Sequence, residues 1–304
     1  MLPLPSFSYE APDHLDALLA LAAAPGARII AGGTDLLPSM KHRLFQPSTL
    51  VSLSALPELA RIEDTAGGLR IGAAAPLSAL RQHPLVRARY GALAEAAGTV
   101  ATPTIQGMGT LGGNVMLDTR CLYYNQPDGW RASIGGCLKA EGQVCHVART
   151  GAGCYAAHSA DTVPALWLYG ASLELASTAG IRRVPLAELY GEDGRTWLKI
   201  QPGEVLLAVH LPKPGAPVVH RKLRLRGAID YGLLLVAARR EGEGGRAVLS
   251  AIGPRPVEVY AERLADLPEL AWAAARPLST HAAPSTWRKH MVRVEVRRAI
   301  AHLG

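Results

Sequence analysis

Apolar residues recur at Leu15, Leu18, Leu19 and Ala22, directly after Pro12-Asp13-His14. This spacing lays one apolar stripe along a helix and sets a turn-forming triplet at its start. The next apolar run, Arg28-Ile29-Ile30-Ala31, is short and β-branched, so it predicts a strand. Similar runs predict strands at Thr49–Leu53 and Leu69–Gly72, a helix from Pro76 and an Ala- and Leu-rich helix over Gly91–Gly98. Thr99–Gly109 has no clear period and contains Pro103. After Asp161 the alternation resumes. A helix is expected over Thr162–Gly170, strands at Ala171–Ser177, Arg182–Pro185 and Val205–Leu211, and a helical turn at Leu186–Tyr190. Pro212-Lys213-Pro214-Gly215-Ala216-Pro217 is the strongest linker signal. Beyond it, strands are expected near Val218–Leu225, Gly232–Arg239 and Arg246–Ile252, then helices over Tyr260–Ala275 and Pro284–Leu303. The pattern is α+β. It predicts a first domain over residues 1–213 and a small domain of three strands plus helices over 217–304.

Composition narrows the function classes. The 304 residues are 49% hydrophobic, enough for a sizeable core. The net charge of +7 comes from dispersed residues, with mild clusters at Arg221–Arg226 and Arg288–Arg298. No basic stripe is interleaved with aromatics, which argues against a nucleic-acid partner. The start, Met1-Leu2-Pro3-Leu4-Pro5, lacks the charged and apolar regions of a secretory leader. No apolar stretch reaches the ~18 residues of a membrane span. These features suggest a cytoplasmic protein, where clustered cysteines are metal ligands or redox groups more often than disulfides.

All four cysteines, Cys121, Cys137, Cys145 and Cys154, fall in one glycine-rich stretch. None forms a Cys-x-x-Cys pair, so neither a zinc ribbon nor a standard ferredoxin run is present. Four thiolates suit a [4Fe–4S] cluster or Zn²⁺; buried free thiols and disulfides are the alternatives. His146 and His158 lie nearby and are better explained as supporting or surface residues than as ligands. Two further turns carry anion chemistry: Gly32-Gly33-Thr34-Asp35 after a strand, and Thr110-Leu111-Gly112-Gly113-Asn114. Glycine lets backbone N–H groups approach a phosphate closely, and two such turns can grip one pyrophosphate. The dinucleotide fingerprint G-x-G-x-x-G is missing after the strand. No nucleophile–base set is apparent, so no residue is assigned a catalytic role.

Three segments, Ile30-Ala31-Gly32-Gly33-Thr34-Asp35-Leu36, Thr110-Leu111-Gly112-Gly113-Asn114 and Ser159-Ala160-Asp161-Thr162-Val163-Pro164-Ala165-Leu166, resemble the FAD-binding subunits of the xanthine dehydrogenase and carbon monoxide dehydrogenase (molybdenum hydroxylase) family. The resemblance runs in order along nearly the whole chain, through Glu204-Val205-Leu206-Leu207 and the Lys222, Arg226 and Asp230 positions. It implies a two-part FAD-binding domain of the p-cresol methylhydroxylase / vanillyl-alcohol oxidase type, followed by a carbon monoxide dehydrogenase flavoprotein C-terminal domain. Residues 29–36 (Ile29, Ile30, Ala31, Gly32, Gly33, Thr34, Asp35 and Leu36) correspond to the loop wrapping the FAD pyrophosphate. Thr110, Gly112, Gly113 and Asn114 correspond to the second phosphate and ribityl turn. Val100 and Ala101 match backbone positions near the cofactor, and Asp161 the acid that accepts hydrogen bonds from the adenosine portion. Leu206 and Lys222 match an apolar and a polar contact on the flavin side. The plainer alternatives are a helix cap for Asp161 and a solvated strand residue for Lys222.

One departure stands out. Asn114 and Asp161 lie 47 positions apart, some three dozen more than the family pattern, and the excess at 115–158 holds every cysteine. The insert resembles that of the 4-hydroxybenzoyl-CoA reductase branch, whose flavoprotein subunit carries an additional [4Fe–4S] cluster. The resemblance implies an electron-transfer subunit beside a molybdopterin-containing large subunit and a small subunit with two [2Fe–2S] clusters, in a dimer of heterotrimers. Ferredoxin would be the electron donor for anaerobic dehydroxylation of 4-hydroxybenzoyl-CoA to benzoyl-CoA.

Overall fold

The computed structural model describes residues 2–303. Three strands form a small parallel sheet near the N-terminus: β1 (Ser8–Glu10), β2 (Ala27–Ile30) and β3 (Thr49–Ser52), with β3 central. The amphipathic helix Leu15–Ala22 covers it, burying Leu18 and Leu19 with Val51 and Leu53. A second sheet is antiparallel and mixes distant segments. It comprises β4 (Ile62–Thr65), β5 (Gly68–Gly72), β6 (Ser172–Ser177), β7 (Gly180–Pro185) and β8 (Val205–Pro212), in the order β4-β5-β8-β6-β7. Helices at Leu77–Gln82, Gly91–Gly98 and Val163–Leu168 contribute to its core, which buries Leu80, Leu93 and Leu166 completely.

The C-terminal sheet corrects the expectation of three strands. It has four, β9 (Val218–Leu223), β10 (Leu234–Glu241), β11 (Gly244–Ser250) and β12 (Val257–Ala261), ordered β12-β11-β10-β9. Val257–Ala261 alternates outward and inward residues along a strand. The helix expected from Tyr260 starts only at Leu267 and runs to Ala274. Leu234, Val236 and Ala238 face this sheet's own helical core, while Ala237 and Val248 face the core of the second sheet. Alternation thus welds the two halves together. The unassigned stretch Thr99–Gly109 also forms a helix, Pro103–Met108. Pro103 occupies its first turn, and the Thr102 hydroxyl accepts from Ile105 N at 3.4 Å. No helix among the described residues is long and apolar enough to cross a membrane.

The cysteine-bearing segment leaves and re-enters this frame at one point. Arg120 and Ala157 form an isolated antiparallel bridge, with both N–H···O bonds at 2.7 Å. Within it the only helix is Asp128–Ser133. The fully buried Arg131 organises the loop, donating to Glu141 Oε1 at 2.8 Å and Oε2 at 2.9 Å, to the Gln126 carbonyl at 2.6 Å and to the His42 carbonyl at 2.8 Å. Leu122 N donates to the Thr280 carbonyl at 3.0 Å, tying the loop to the C-terminal sheet's layer as well.

Candidate flavin cavity and cysteine loop

A cavity of about 960 Å³ opens between the sheets. Its size lies at the upper end of the ~300–1,000 Å³ common for small-molecule and cofactor sites. Its wall includes all seventeen residues expected at a flavin: Ile29, Ile30, Ala31, Gly32, Gly33, Thr34, Asp35, Leu36, Val100, Ala101, Thr110, Gly112, Gly113, Asn114, Asp161, Leu206 and Lys222.

Backbone geometry explains the first two walls. β2 delivers the chain into Gly32, where a Cβ would overlap the Met108 carbonyl, and Gly33 follows at φ +67°. Both positions demand glycine, one for space and one for its left-handed φ. The second turn is pinned by Leu77 N to the Gly109 carbonyl at 2.9 Å and Gly112 N to the Ala73 carbonyl at 2.8 Å. Thr110 Oγ1 accepts from Gly113 N at 3.1 Å and caps the short helix Leu111–Val115. Ala101 sits at φ +41°, and its neighbourhood is held by Gln106 Nε2, which donates to the Gly98 and Val100 carbonyls at 3.0 and 2.7 Å. Asn114 and Thr162 meet although 48 positions separate them. Asn114 Oδ1 accepts from Thr162 N at 3.0 Å and from Thr162 Oγ1 at 2.7 Å, so the interrupted motif is rejoined in space.

Asp161 and Lys222, expected on the adenosine and flavin sides of the cofactor, form one buried ion pair in the cavity wall, with Nζ to Oδ1 at 2.5 Å. Lys222 Nζ also donates to the Thr99 carbonyl at 3.1 Å. Burial raises the Asp161 carboxyl above its ordinary range, with Lys222 and then Thr99 opposing the shift. Leu206, on β8, lines the cavity while packing into the central core.

Most of a third wall was missing from the sequence reading. Arg195, Trp197 and Gln201 come from the irregular chain before β8, and Glu204, which opens the matched Glu204-Val205-Leu206-Leu207 segment, joins them after Gly203 at φ +76°. Arg28 stacks over Phe45 at 3.6 Å, and Tyr231 reaches the wall from the C-terminal half. The ion pair between Arg120 and Asp35 joins the root of the cysteine loop to the first glycine turn.

The four cysteines are unbonded to one another; Cys137, Cys145 and Cys154 are buried and Cys121 partly so. Burial raises the Cys121 thiol, and repulsion from Cys137 and Cys145 adds to the rise. Burial pushes Cys154 up to about 11, with Lys139 pulling it down and Cys121 and Cys145 pushing it up. The thiols therefore lie within each other's electrostatic reach. Around Cys137 the backbone turns tightly: Cys137 N donates to the Ala140 carbonyl at 2.8 Å, Leu138 N to that of Val144 at 2.9 Å, and Gly135 and Gly136 have φ +77° and +71°. Among the described residues, no three His, Cys, Asp or Glu groups converge closely enough to hold a single metal ion. Thiolates are the donors that iron–sulfur clusters and other soft metal centres take, but as placed these four are not gathered into a metal-binding group. His146 stays outside it, its Nε2 hydrogen-bonded to the Gly136 carbonyl at 2.7 Å. His158 is fully buried, its ring tilted 57° against that of Tyr190 with centroids 4.4 Å apart.

Residues 5–214 match the family model described as the FAD binding domain in molybdopterin dehydrogenase. The chain belongs to this family of FAD-binding subunits. Among its relatives, the aldehyde oxidoreductase FAD-binding subunit PaoB of Escherichia coli K12 is 35% identical over 269 residues, covering 84% of each chain. The carbon monoxide dehydrogenase medium chain of Afipia carboxidovorans is 29% identical and covers 97% of this chain and 96% of its own. Crystal structures agree in fold. That of quinoline 2-oxidoreductase from Pseudomonas putida 86 superposes with a TM-score of 0.78 at 26% identity, over 99% of this chain and 98% of that one. A Cu,Mo-CO dehydrogenase structure gives 0.78 at 25%, over 98% of both. As a member of this family the chain is the FAD subunit of a molybdenum hydroxylase or dehydrogenase, and its mixed α/β architecture is theirs.

Proposed function

We propose that this flavin subunit is an electron relay, holding FAD in the cavity and a [4Fe–4S] cluster on Cys121, Cys137, Cys145 and Cys154. The observation that carries the reading is the closed cysteine loop rooted at Arg120 and Ala157, immediately beside the wall that supplies Asp35. FAD and a cluster together would let two-electron and one-electron carriers exchange. The chain's own work is positioning. Residues 29–36 present backbone N–H groups to the pyrophosphate, the 110–114 turn forms the facing wall with its Leu111 to Asn114 N–H groups bonded within the protein, the Asp161–Lys222 pair places paired charges against the cofactor, and the buried loop excludes water from the thiolates. In this proposal residues 1–213 form the flavin domain, in the p-cresol methylhydroxylase arrangement, with 115–158 as its insert and 217–304 as a C-terminal domain. The partners are a molybdopterin-containing large subunit and a small subunit with two [2Fe–2S] clusters, assembled as a dimer of heterotrimers in the cytoplasm.

Two directions of flow follow from different observations. The cysteine-bearing insert supports inward flow from reduced ferredoxin, ending in reductive dehydroxylation of 4-hydroxybenzoyl-CoA. The 35% identity to an aldehyde oxidoreductase subunit supports outward flow from an aldehyde oxidised at the molybdenum partner. Analysis of the purified complex tests the relay: about one FAD and four irons are expected in this chain, and stoichiometric zinc without iron sinks it. Rapid mixing tests the direction. Bleaching of the flavin by an aromatic aldehyde supports outward flow; benzoyl-CoA formed from 4-hydroxybenzoyl-CoA and reduced ferredoxin supports inward flow.

A further inference from the structure

Arg28 stands on β2, directly before residues 29–36, and lines the flavin cavity. Its guanidinium lies over the Phe45 ring at 3.6 Å, and Phe45 lines the same cavity. Among the described residues the Arg28 side chain has neither a hydrogen bond nor an ion pair; the stack is what holds it. Its nitrogens are not sealed in by protein. The other charged side chains of the wall are neutralised. Asp161 pairs with Lys222 and Arg226 with Asp230 inside the wall. Asp35, Asp118, Arg195 and Glu204 pair with Arg120, Lys139, Asp193 and Arg182 outside it. Arg28 therefore leaves one uncompensated positive charge on this wall. Burial pulls its guanidinium below the ordinary range, with Asp118 and then Tyr124 opposing the shift. It stays ionised, because arginine keeps its proton in proteins. A partly desolvated cation without an anion is a cost to the fold, and such a cost is retained where a ligand repays it.

We infer that Arg28 is the anion receptor of the cavity and binds the pyrophosphate of FAD, with Phe45 as the platform that fixes the plane of its donors. This rests on the flavin reading of the cavity. Oxidised FAD carries its negative charge on the pyrophosphate, while the ring and the ribityl chain are neutral. A guanidinium offers a phosphate two parallel N–H donors. The stack on Phe45 restricts the side chain before the ligand arrives, which lowers the entropy lost on binding. The 110–114 turn cannot supply this, since its Leu111 to Asn114 N–H groups are bonded within the protein. Residues 29–36 thus provide the shape of the phosphate site and Arg28 its charge.

The test is equilibrium binding to the full chain freed of flavin, with FAD, ADP and riboflavin as probes. ADP carries the pyrophosphate without the flavin, and riboflavin the flavin without the phosphates. Arg28→Met keeps an apolar stem on Phe45 and removes the charge. It should weaken FAD and ADP by about 10- to 100-fold each, the effect of one charge-assisted contact, and leave riboflavin unchanged. Arg28→Lys keeps the charge without the fork and should fall between Arg28→Met and wild type. Thermal unfolding without ligand separates binding from folding. Arg28→Met should unfold no lower than wild type, because it removes an unpaired charge. Failure of that variant to fold, or a lower unfolding temperature with all three probes weakened alike, overturns the inference and makes Arg28 a structural residue. Unchanged affinity for FAD and ADP overturns it as well; a lowered flavin midpoint potential in that case would put Arg28 beside the flavin ring. Wild-type chain that binds neither FAD nor riboflavin refutes the flavin reading itself.

Discussion

The flavin cavity and the cysteine loop are adjacent and built on opposite principles. The cavity is shaped by backbone: strands and helices from residues 22 to 231 meet there, and its glycines are fixed by space or by φ. The cysteine loop has one six-residue helix and draws its order from buried side chains, chiefly Arg131 and the Lys139–Asp118 pair. A backbone-built site tolerates sequence change wherever the main chain stays in place. A side-chain-built loop fails at single residues while leaving its surroundings intact.

The sharpest way to break this contrast is Gly32→Ala. The new methyl group would collide with the Met108 carbonyl, so a loss of about 3 kcal/mol or more and near-complete loss of FAD are expected, read by thermal unfolding and flavin absorbance. Normal flavin content would show that the turn is less rigid than its packing indicates. Asp161→Asn comes next. It leaves Lys222 buried without its counter-charge, a change that costs about 3–5 kcal/mol when a buried pair is broken, and FAD affinity should fall with stability. Cys137→Ser should abolish bound iron and leave flavin content largely unchanged, because every flavin-wall turn lies outside the loop. Concurrent loss of FAD would mean the Arg120–Asp35 link makes the two regions one unit.

The smallest effect concerns two buried histidines, His158 beside the loop's root and His220 on β9. Burial lowers His158 and His220 from about 6.5 to about 3. Below pH 6.5 the unfolded chain takes up protons that these imidazoles refuse until about pH 3. Their contribution to stability is therefore complete above pH 6.5 and declines through that window on acidification. At pH 5.5 each should cost about 1.4 kcal/mol, visible as a lower unfolding temperature. Replacing His158 by Gln should flatten the dependence by roughly half of the histidine share.

Much of the flavin wall was legible because glycine turns after strands leave a local signature. Gly32-Gly33 and Gly112-Gly113-Asn114, picked out as turns in the sequence, both line the cavity. Most of the third wall was not, because Arg195, Trp197 and Gln201 reach the cavity from irregular chain with no period and no motif. Val257–Ala261 was hidden differently: its alternation spans five residues and runs close to a genuine helix, so the helical pattern absorbed it. The cysteines announced themselves by type, whereas Asp118 and Lys139, 21 positions apart, matter only once the loop brings them together. Asp161 and Lys222 were each recognisable singly. Their mutual contact was invisible, since it depends on how the C-terminal sheet docks.

The paired hydrogen bonds of Arg120 and Ala157 have a consequence for how such a protein can change over time. Residues 121–156 leave and return at a two-residue stem, so lengthening, exchanging or deleting them changes the entropy of closing one loop together with the bonds that tie it to His42, Gly194 and Thr280. That entropy grows slowly, by roughly 0.6 kcal/mol for each doubling of length. An ancestral or engineered chain could acquire the loop in one step without re-registering any strand, and a short turn joining Arg120 to Ala157 would return a flavin subunit without cysteines.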